Sequence, residues 1–180
     1  MKTLILLSIL SIMSNKTKYK IDFGKTSGVQ DWRIVNDGVM GGLSQSIAIF
    51  TNNSVLFKGT VSLKNNGGFA MLRSPIGNFD LSNFKTVKIK FRSKGRDFSL
   101  RLATSELYFK PNYKHRFRSE SEDWEIIELS LSDFQEFTLG RLTGSDISAE
   151  NMKDILRIGI ILNDKIEGPF EIEVDYIEFN

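Results

Sequence analysis

From Lys18 to the end of the chain, apolar residues recur at every second position far more often than at every third or fourth. A strand has period two and a helix 3.6, so this pattern restricts the chain to sheets. Tyr19, Ile21 and Phe23 alternate with polar residues, as do Val55, Phe57, Val61 and Leu63 within Ser54 to Leu63. In Val87 to Arg92 the apolar face is Val87, Ile89 and Phe91 and the solvent face is basic. Ser93-Lys94-Gly95-Arg96 then reads as a turn into Phe98 to Leu102, which predicts a hairpin. Further alternation runs from Trp124 and Ile126 to Leu131, through Leu156, Ile158, Ile160 and Leu162, and through Phe170, Ile172, Val174 and Tyr176. Helical signals are confined to one turn at Asp80 to Phe84 and a short segment from a Ser148 cap through Asp154. Neither can cover a sheet. The strands must therefore bury their apolar faces against a second sheet, which makes the chain an all-β antiparallel sandwich or barrel. The first and last strands, Lys18 to Phe23 and Phe170 to Phe179, are expected in the core sheets.

With 180 residues, 41% of them hydrophobic, and no linker or repeat, residues 16–180 are expected to form one domain. Residues 1–15 read as a signal peptide, because Lys2 precedes an apolar run from Leu4 to Met13 and Ser14-Asn15 follows. The eleven residues from Thr3 to Met13 are too few to cross a hydrocarbon core of about 30 Å, so no stable membrane span is expected. That reading places the protein outside the cytoplasm, in a periplasm or secreted.

The charge excludes more. Lys plus Arg number 24 and Asp plus Glu 22, a net charge of +2, too little for an electrostatic grip on nucleic acid. No cysteine means no disulfide, thiolate nucleophile or cysteine zinc site, and the single His115 excludes sites needing two imidazoles. Around it, a strand reading puts Tyr113, His115 and Phe117 on one face and Lys114, Arg116 and Arg118 on the other. Glu171, Glu173 and Asp175 share the strand face opposite Phe170, Ile172, Val174 and Tyr176, a solvated outer face rather than a catalytic carboxylate pair. Asp37 with Asn36, or Asp164 with Asn163, could offer oxygens to calcium, but neither has the spacing of a dedicated loop, so no metal is expected.

Two loops break the alternation: Trp32 to Ser44 and Lys64 to Phe69. The glycines of Gly38-x-x-Gly41-Gly42 do not open a helix, since the alternating stretch Gln45 to Phe50 follows, and no Gly-Lys-Ser/Thr occurs, so no nucleotide cofactor is expected. For Asn65-Asn66-Gly67-Gly68 alone, a tight hairpin turn suffices. A turn needs neither the Trp nor the Met of the first loop.

Trp32 to Ser44 reads W-x-x-V-N-D-G-V-M-G-G-x-S, with F-K-G following at Phe57 to Gly59 and N-N-G-G-F at Asn65 to Phe69. In these motifs the chain resembles the complex I intermediate-associated protein family, from about Ile21 to Phe179 and most specifically in its first half. The resemblance implies a β-sandwich of jelly-roll, galactose-binding-like type. It also implies a non-catalytic part in assembling the respiratory NADH:ubiquinone oxidoreductase, and hence a protein partner. It carries over no catalytic residue. The positions that match are Trp32, Asn36, Asp37, Gly38, Met40, Gly41, Gly42, Ser44, Asn65, Asn66, Gly67, Gly68 and Phe69. Both loops are expected side by side, Asn65 and Asn66 bonding the first loop's backbone, Trp32 and Met40 buried, and Asp37 and Ser44 facing the partner. The alternative is a carbohydrate-binding module of the same fold, suggested also by the closing Val174-Asp175-Tyr176-Ile177. It calls for an exposed aromatic platform among Trp32, Tyr108, Tyr113 and Trp124.

Overall fold

The structure is a computed structural model that describes residues 18–180, so the signal peptide expected at residues 1–15 lies outside the described residues. The strands are β1 (Tyr19–Asp22), β2 (Arg33–Asn36), β3 (Gln45–Phe50), β4 (Val55–Val61), β5 (Ala70–Arg73), β6 (Thr86–Ser93) and β7 (Asp97–Ala103). They continue with β8 (Asn112–Arg118), β9 (Glu125–Ser130), β10 (Gln135–Thr138), β11 (Arg141–Asp146), β12 (Arg157–Leu162) and β13 (Gly168–Phe179). The remaining regular pieces are single 3₁₀ turns. One of them, Asn151–Asp154, is entered as expected through the Ser148 hydroxyl, which accepts the Asn151 amide at 3.1 Å.

The strands form two antiparallel sheets, as their period requires. The first has the order β3-β4-β13-β6-β9, with β1 added along the end of β13; the second runs β11-β10-β8-β7-β12-β5-β2. Apolar faces meet between them in one cluster that includes Phe57, Phe91 and Ile172 from the first sheet and Leu72, Phe98 and Ile160 from the second. Aromatic rings stitch the layers. Phe91 meets Phe117 edge-on at 4.9 Å, and Phe98 meets Phe170 at 6.3 Å. Each such ring removed from water contributes about 1.5 to 3 kcal/mol of transfer free energy.

The hairpin expected at Ser93 to Arg96 does not form. β6 pairs with β13 and β9, whereas β7 pairs with β12 and β8, so the turn carries the chain from one sheet to the other. The reason lies in Arg96. Its Nε and Nη2 reach Asp164 Oδ2 and Oδ1 at 2.7 and 2.9 Å, Nη2 also donates to the Ile166 carbonyl at 2.6 Å, and Nη1 donates to that of Pro169 at 2.7 Å. The β12–β13 connection crosses between the same two sheets, and Arg96 ties the two crossings together. Asn65 to Gly68 likewise joins strands of different sheets and is not a hairpin turn.

A second difference concerns Tyr176. The register between β13 and β6 slips between Val174 and Tyr176, a bulge that places two residues against one and inverts the alternation. Ile177 and Phe179 therefore point into the core, and Tyr176 lies on the outer face with Lys20 Nζ 4.1 Å from its ring centre. Up to and including the bulged Asp175 the acidic face is as read: Glu171, Glu173 and Asp175 lie outside, opposite Lys94 just past β6 and Arg92 and Lys90 on it.

Candidate functional site

β2 ends at Asn36 and the chain turns at once through a 3₁₀ segment, Asp37–Met40, closed by Gly41 in the left-handed region at φ 86°. The turn folds Asp37 inward, to 1% exposure. Its carboxylate collects donors from both loops. Oδ1 accepts the Ser44 amide at 2.9 Å, and Oδ2 accepts the Ser44 hydroxyl at 2.5 Å, the Gly68 amide at 2.6 Å and the Phe69 amide at 3.3 Å. Burial pushes this carboxyl up, but the hydrogen bonds from Ser44, Gly68 and Phe69 outweigh it and hold the group below the ordinary aspartate range. Ser44 extends the network, its hydroxyl accepting the Ser62 amide at 3.0 Å.

One glycine of each pair follows from this carboxylate. A Cβ on Gly42 would lie 2.3 Å from Asp37 Cγ, and one on Gly67 would lie 2.6 Å from Asp37 Oδ2. Only bare backbone fits against the acid. Gly42→Ala is therefore expected to destabilise the fold by roughly 2 to 3 kcal/mol through overpacking at an immovable group, measured by denaturant unfolding. Asn65 adds a cross-link, its Nδ2 donating to the Gly41 carbonyl at 3.1 Å. Asn66 is exposed and contributes a left-handed backbone at φ 59°. Asn36 Oδ1 accepts the Ser46 hydroxyl at 2.6 Å, and buried Trp32 packs edge-on against Phe23 at 5.0 Å.

The two loops thus form one body, with an inside and an outside that differ from expectation. Asp37 and Ser44 are buried and do not face a partner, and Met40, expected inside, is 64% exposed. The carboxylate turns inward because the backbone amides that need an acceptor lie there. Met40 ends the turn on its open side, flanked by Val39 at 76% exposure and Leu43 at 53%. Gly38 borders open space. Val39 and Leu43 were not singled out from the sequence, although apolar residues in a glycine-rich stretch outside any alternation were a signal for them.

A sugar platform would draw on four aromatics, Trp32, Tyr108, Tyr113 and Trp124. Trp32 and Tyr113 are buried, while Tyr108 and Trp124 are exposed. Tyr108 belongs to the β7–β8 connection of the second sheet and Trp124 precedes β9 of the first, so the exposed pair is divided between the sheets. Trp124 lines a polar groove of about 470 Å³ with Lys90, Arg92, Glu173 and Asp175. Neither carboxylate considered for calcium is free for it: Asp37 is saturated by loop donors, and Asp164 chelates Arg96. Among the described residues no group of three or more His, Cys, Asp or Glu side chains could hold a metal, and no helix is long and apolar enough to cross a membrane.

Comparison with known proteins supplies the remaining finding. The sequence model of complex I intermediate-associated protein 30 matches residues 21–174. The mouse protein "Complex I intermediate-associated protein 30, mitochondrial" is 27% identical over 177 residues, covering 86% of this chain and 53% of its own length. A "probable" counterpart in Caenorhabditis briggsae is 27% identical over 99 residues, covering 53% of this chain and 29% of its own. The chain thus spans about half the length, or less, of the curated relatives it matches. Both names say mitochondrial, which overturns the extracytoplasmic location expected from the N-terminal run. Among solved structures, a family 11 carbohydrate-binding module from Clostridium thermocellum, in complex with a β-1,3-1,4-mixed-linked tetrasaccharide, superposes with a TM-score of 0.64 at 17% identity. That match covers 90% of this chain and 94% of the module. At that identity the likeness shows the jelly-roll fold alone.

Proposed function

The chain belongs to the complex I intermediate-associated protein 30 family, and from this premise we propose that it is a non-catalytic interaction domain serving assembly of the respiratory NADH:ubiquinone oxidoreductase. The observation that carries the reading is the division of labour within the family's own motif. Asp37 fixes both loops from below, and Val39, Met40 and Leu43 stand exposed on the fixed turn above it. A preorganised apolar group spends little entropy on binding, and the centre of a protein interface consists of such groups.

The test is capture of complex I subunits and assembly intermediates by the tagged protein, compared with a Val39→Ser, Met40→Ser, Leu43→Ser triple variant. Stability should stay within about 1 kcal/mol, because exposed side chains bear little of the fold, while capture of those subunits falls at least tenfold, about 1.4 kcal/mol of binding. Undiminished capture by the folded triple variant would exclude this surface as the contact. The carbohydrate reading retains one specific observation, Trp124 in its polar groove. It predicts glucan binding that Trp124→Ala abolishes in a titration calorimeter.

A further inference from the structure

On the outer face of the second sheet, strand pairing aligns basic residues that lie far apart in the chain. Arg33 on β2 faces Arg73 on β5, Arg73 faces Gly159 on β12, Gly159 faces Arg101 on β7, and Arg101 faces Lys114 on β8. Five adjacent strands thus contribute one row with four cations. At about 4.8 Å per strand it spans roughly 19 Å. Arg157, two residues before Gly159, joins the same face. Like charges opposed across a sheet repel, and burial aggravates the repulsion.

Burial here is substantial and neutralisation nearly absent. Lys114 is buried with its Nζ 3.7 Å from the centre of the Phe137 ring. Burial first, then Arg101, Arg116 and Lys165, push its ammonium down to about 8. Burial, then Arg73 and Arg157, push the Arg101 guanidinium down to about 10. The Nε atoms of Arg73 and Arg157 are buried without a hydrogen-bond partner. Arg101 Nε meets only a neutral acceptor, Asn112 Oδ1, at 3.0 Å. Among the described residues the carboxylate that pairs with this cluster is Glu106, 3.3 Å from Arg157 at its margin, with 54% of its side chain exposed.

The first sheet shows that this chain can neutralise such a row. Along β6, Lys88 faces Glu128 at 3.7 Å, Lys90 faces Asp175 at 2.7 Å and Arg92 faces Glu173 at 2.5 Å, and just beyond its end Lys94 faces Glu171 at 3.9 Å. Among the described residues the outer face of the second sheet has, besides the Glu106 pair, only the ion pairs of Asp97, which lies at the far end of β7 and meets Arg116 and Arg118 at 3.6 and 3.7 Å. Gly159 at its middle adds no side chain of its own between Arg73 and Arg101, the Met71 sulfur and the Arg73 Cβ bordering the place where its Cβ would stand.

We propose that the outer face of the second sheet is an anion-binding site for a ligand bearing phosphate groups, held between Arg73 and Arg101 over Gly159 and flanked by Lys114 and Arg157. Arginine forks match the oxygens of a phosphate in pairs, and a cluster of this charge calls for more than the single negative charge of a carboxylate. The site uses none of the Asp37-loop side chains and does not depend on the partner surface proposed for them.

The test uses the full chain at low ionic strength with two probes, inorganic pyrophosphate and vesicles of phosphatidylglycerol in phosphatidylcholine. Pyrophosphate should raise the melting temperature, and Arg73→Gln and Arg101→Gln should each weaken its binding at least tenfold. Without ligand, both variants should melt at or above the temperature of the unsubstituted protein, because removing one cation relieves the repulsion. Lys114→Met serves as a second variant should an arginine substitution prevent folding. Sedimentation with the acidic vesicles that depends on Arg101, beyond the pyrophosphate effect, would identify the phosphate as a lipid headgroup; its absence would identify a soluble phosphate compound. If neither probe binds, or if binding persists undiminished in the folded variants, the proposal is overturned.

Discussion

Asp37→Asn should lower stability by about 3 to 5 kcal/mol in denaturant unfolding at pH 7. The side chain is nearly isosteric, so packing is retained, but an amide offers one acceptor where the carboxylate offers two and turns its NH₂ toward groups that are themselves donors. The Ser44 amide and hydroxyl and the Gly68 and Phe69 amides all point at those oxygens. Hydrogen bonds to a charged group contribute about 1.5 to 3 kcal/mol each, and a buried donor left unmet costs about 1 to 3 kcal/mol. Against a total of about 5 to 15 kcal/mol the loss is large, and it should lower the melting temperature by about 10 °C. The pH dependence has a definite sign. The folded-state pKa of Asp37 is depressed, so its contribution is complete above the unfolded value of about 3.9 and disappears as pH falls through the folded one. The gap between the protein and Asp37→Asn should therefore be widest near neutrality and close below about pH 4.

Arg96→Met is expected to be comparably severe, about 3 to 5 kcal/mol. Arg96 and Asp164 have side chains only 10% and 3% exposed, and removing the guanidinium strands a buried carboxylate together with the Ile166 and Pro169 carbonyls. Burial tends to raise the Asp164 carboxyl, but Arg96 and the Ile166 and Asp97 amides hold it below its ordinary range, so the pair persists at neutral pH. Removing both charges in an Arg96→Met, Asp164→Leu double variant should cost less than Arg96→Met alone, since no buried charge is then left unpaired. Equal losses in single and double variants would mean that the ion pair does not join the crossings.

Although β9 is an exception, with Trp124 and Ile126 exposed while Ile127 and Leu129 turn to the core, most strands were legible in the sequence because alternation reports which face of a segment is apolar, and burial then follows. Their distribution between sheets was not. Ser93 to Arg96 has the composition of a hairpin turn, and what sends β7 to the other sheet is an ion pair with a residue 68 positions away. The slip at Asp175 and Tyr176 was equally hidden, because the letters on either side of the bulge still alternate. The glycine-rich motif stood out as more than a turn, yet its polarity was inverted in the reading. An aspartate in a loop suggests an exposed acid, and the backbone amides that draw Asp37 inward have no signature in the sequence. The cationic row was invisible for a related reason: Arg33, Arg73, Arg101 and Lys114 are scattered singly along the chain, and only the pairing of five strands aligns them.

A single buried carboxylate, that of Asp37, makes two loops one rigid platform. Amide hydrogen exchange in the native state measures this directly, at the amides of Ser44 and Gly68 that Asp37 accepts. They should open only with the whole molecule, showing the same free energy of exchange as core-strand amides such as those of Leu100 and Ile160. Exchange from Ser44 and Gly68 several kcal/mol more readily than from the core would show loops that open on their own and would contradict the platform.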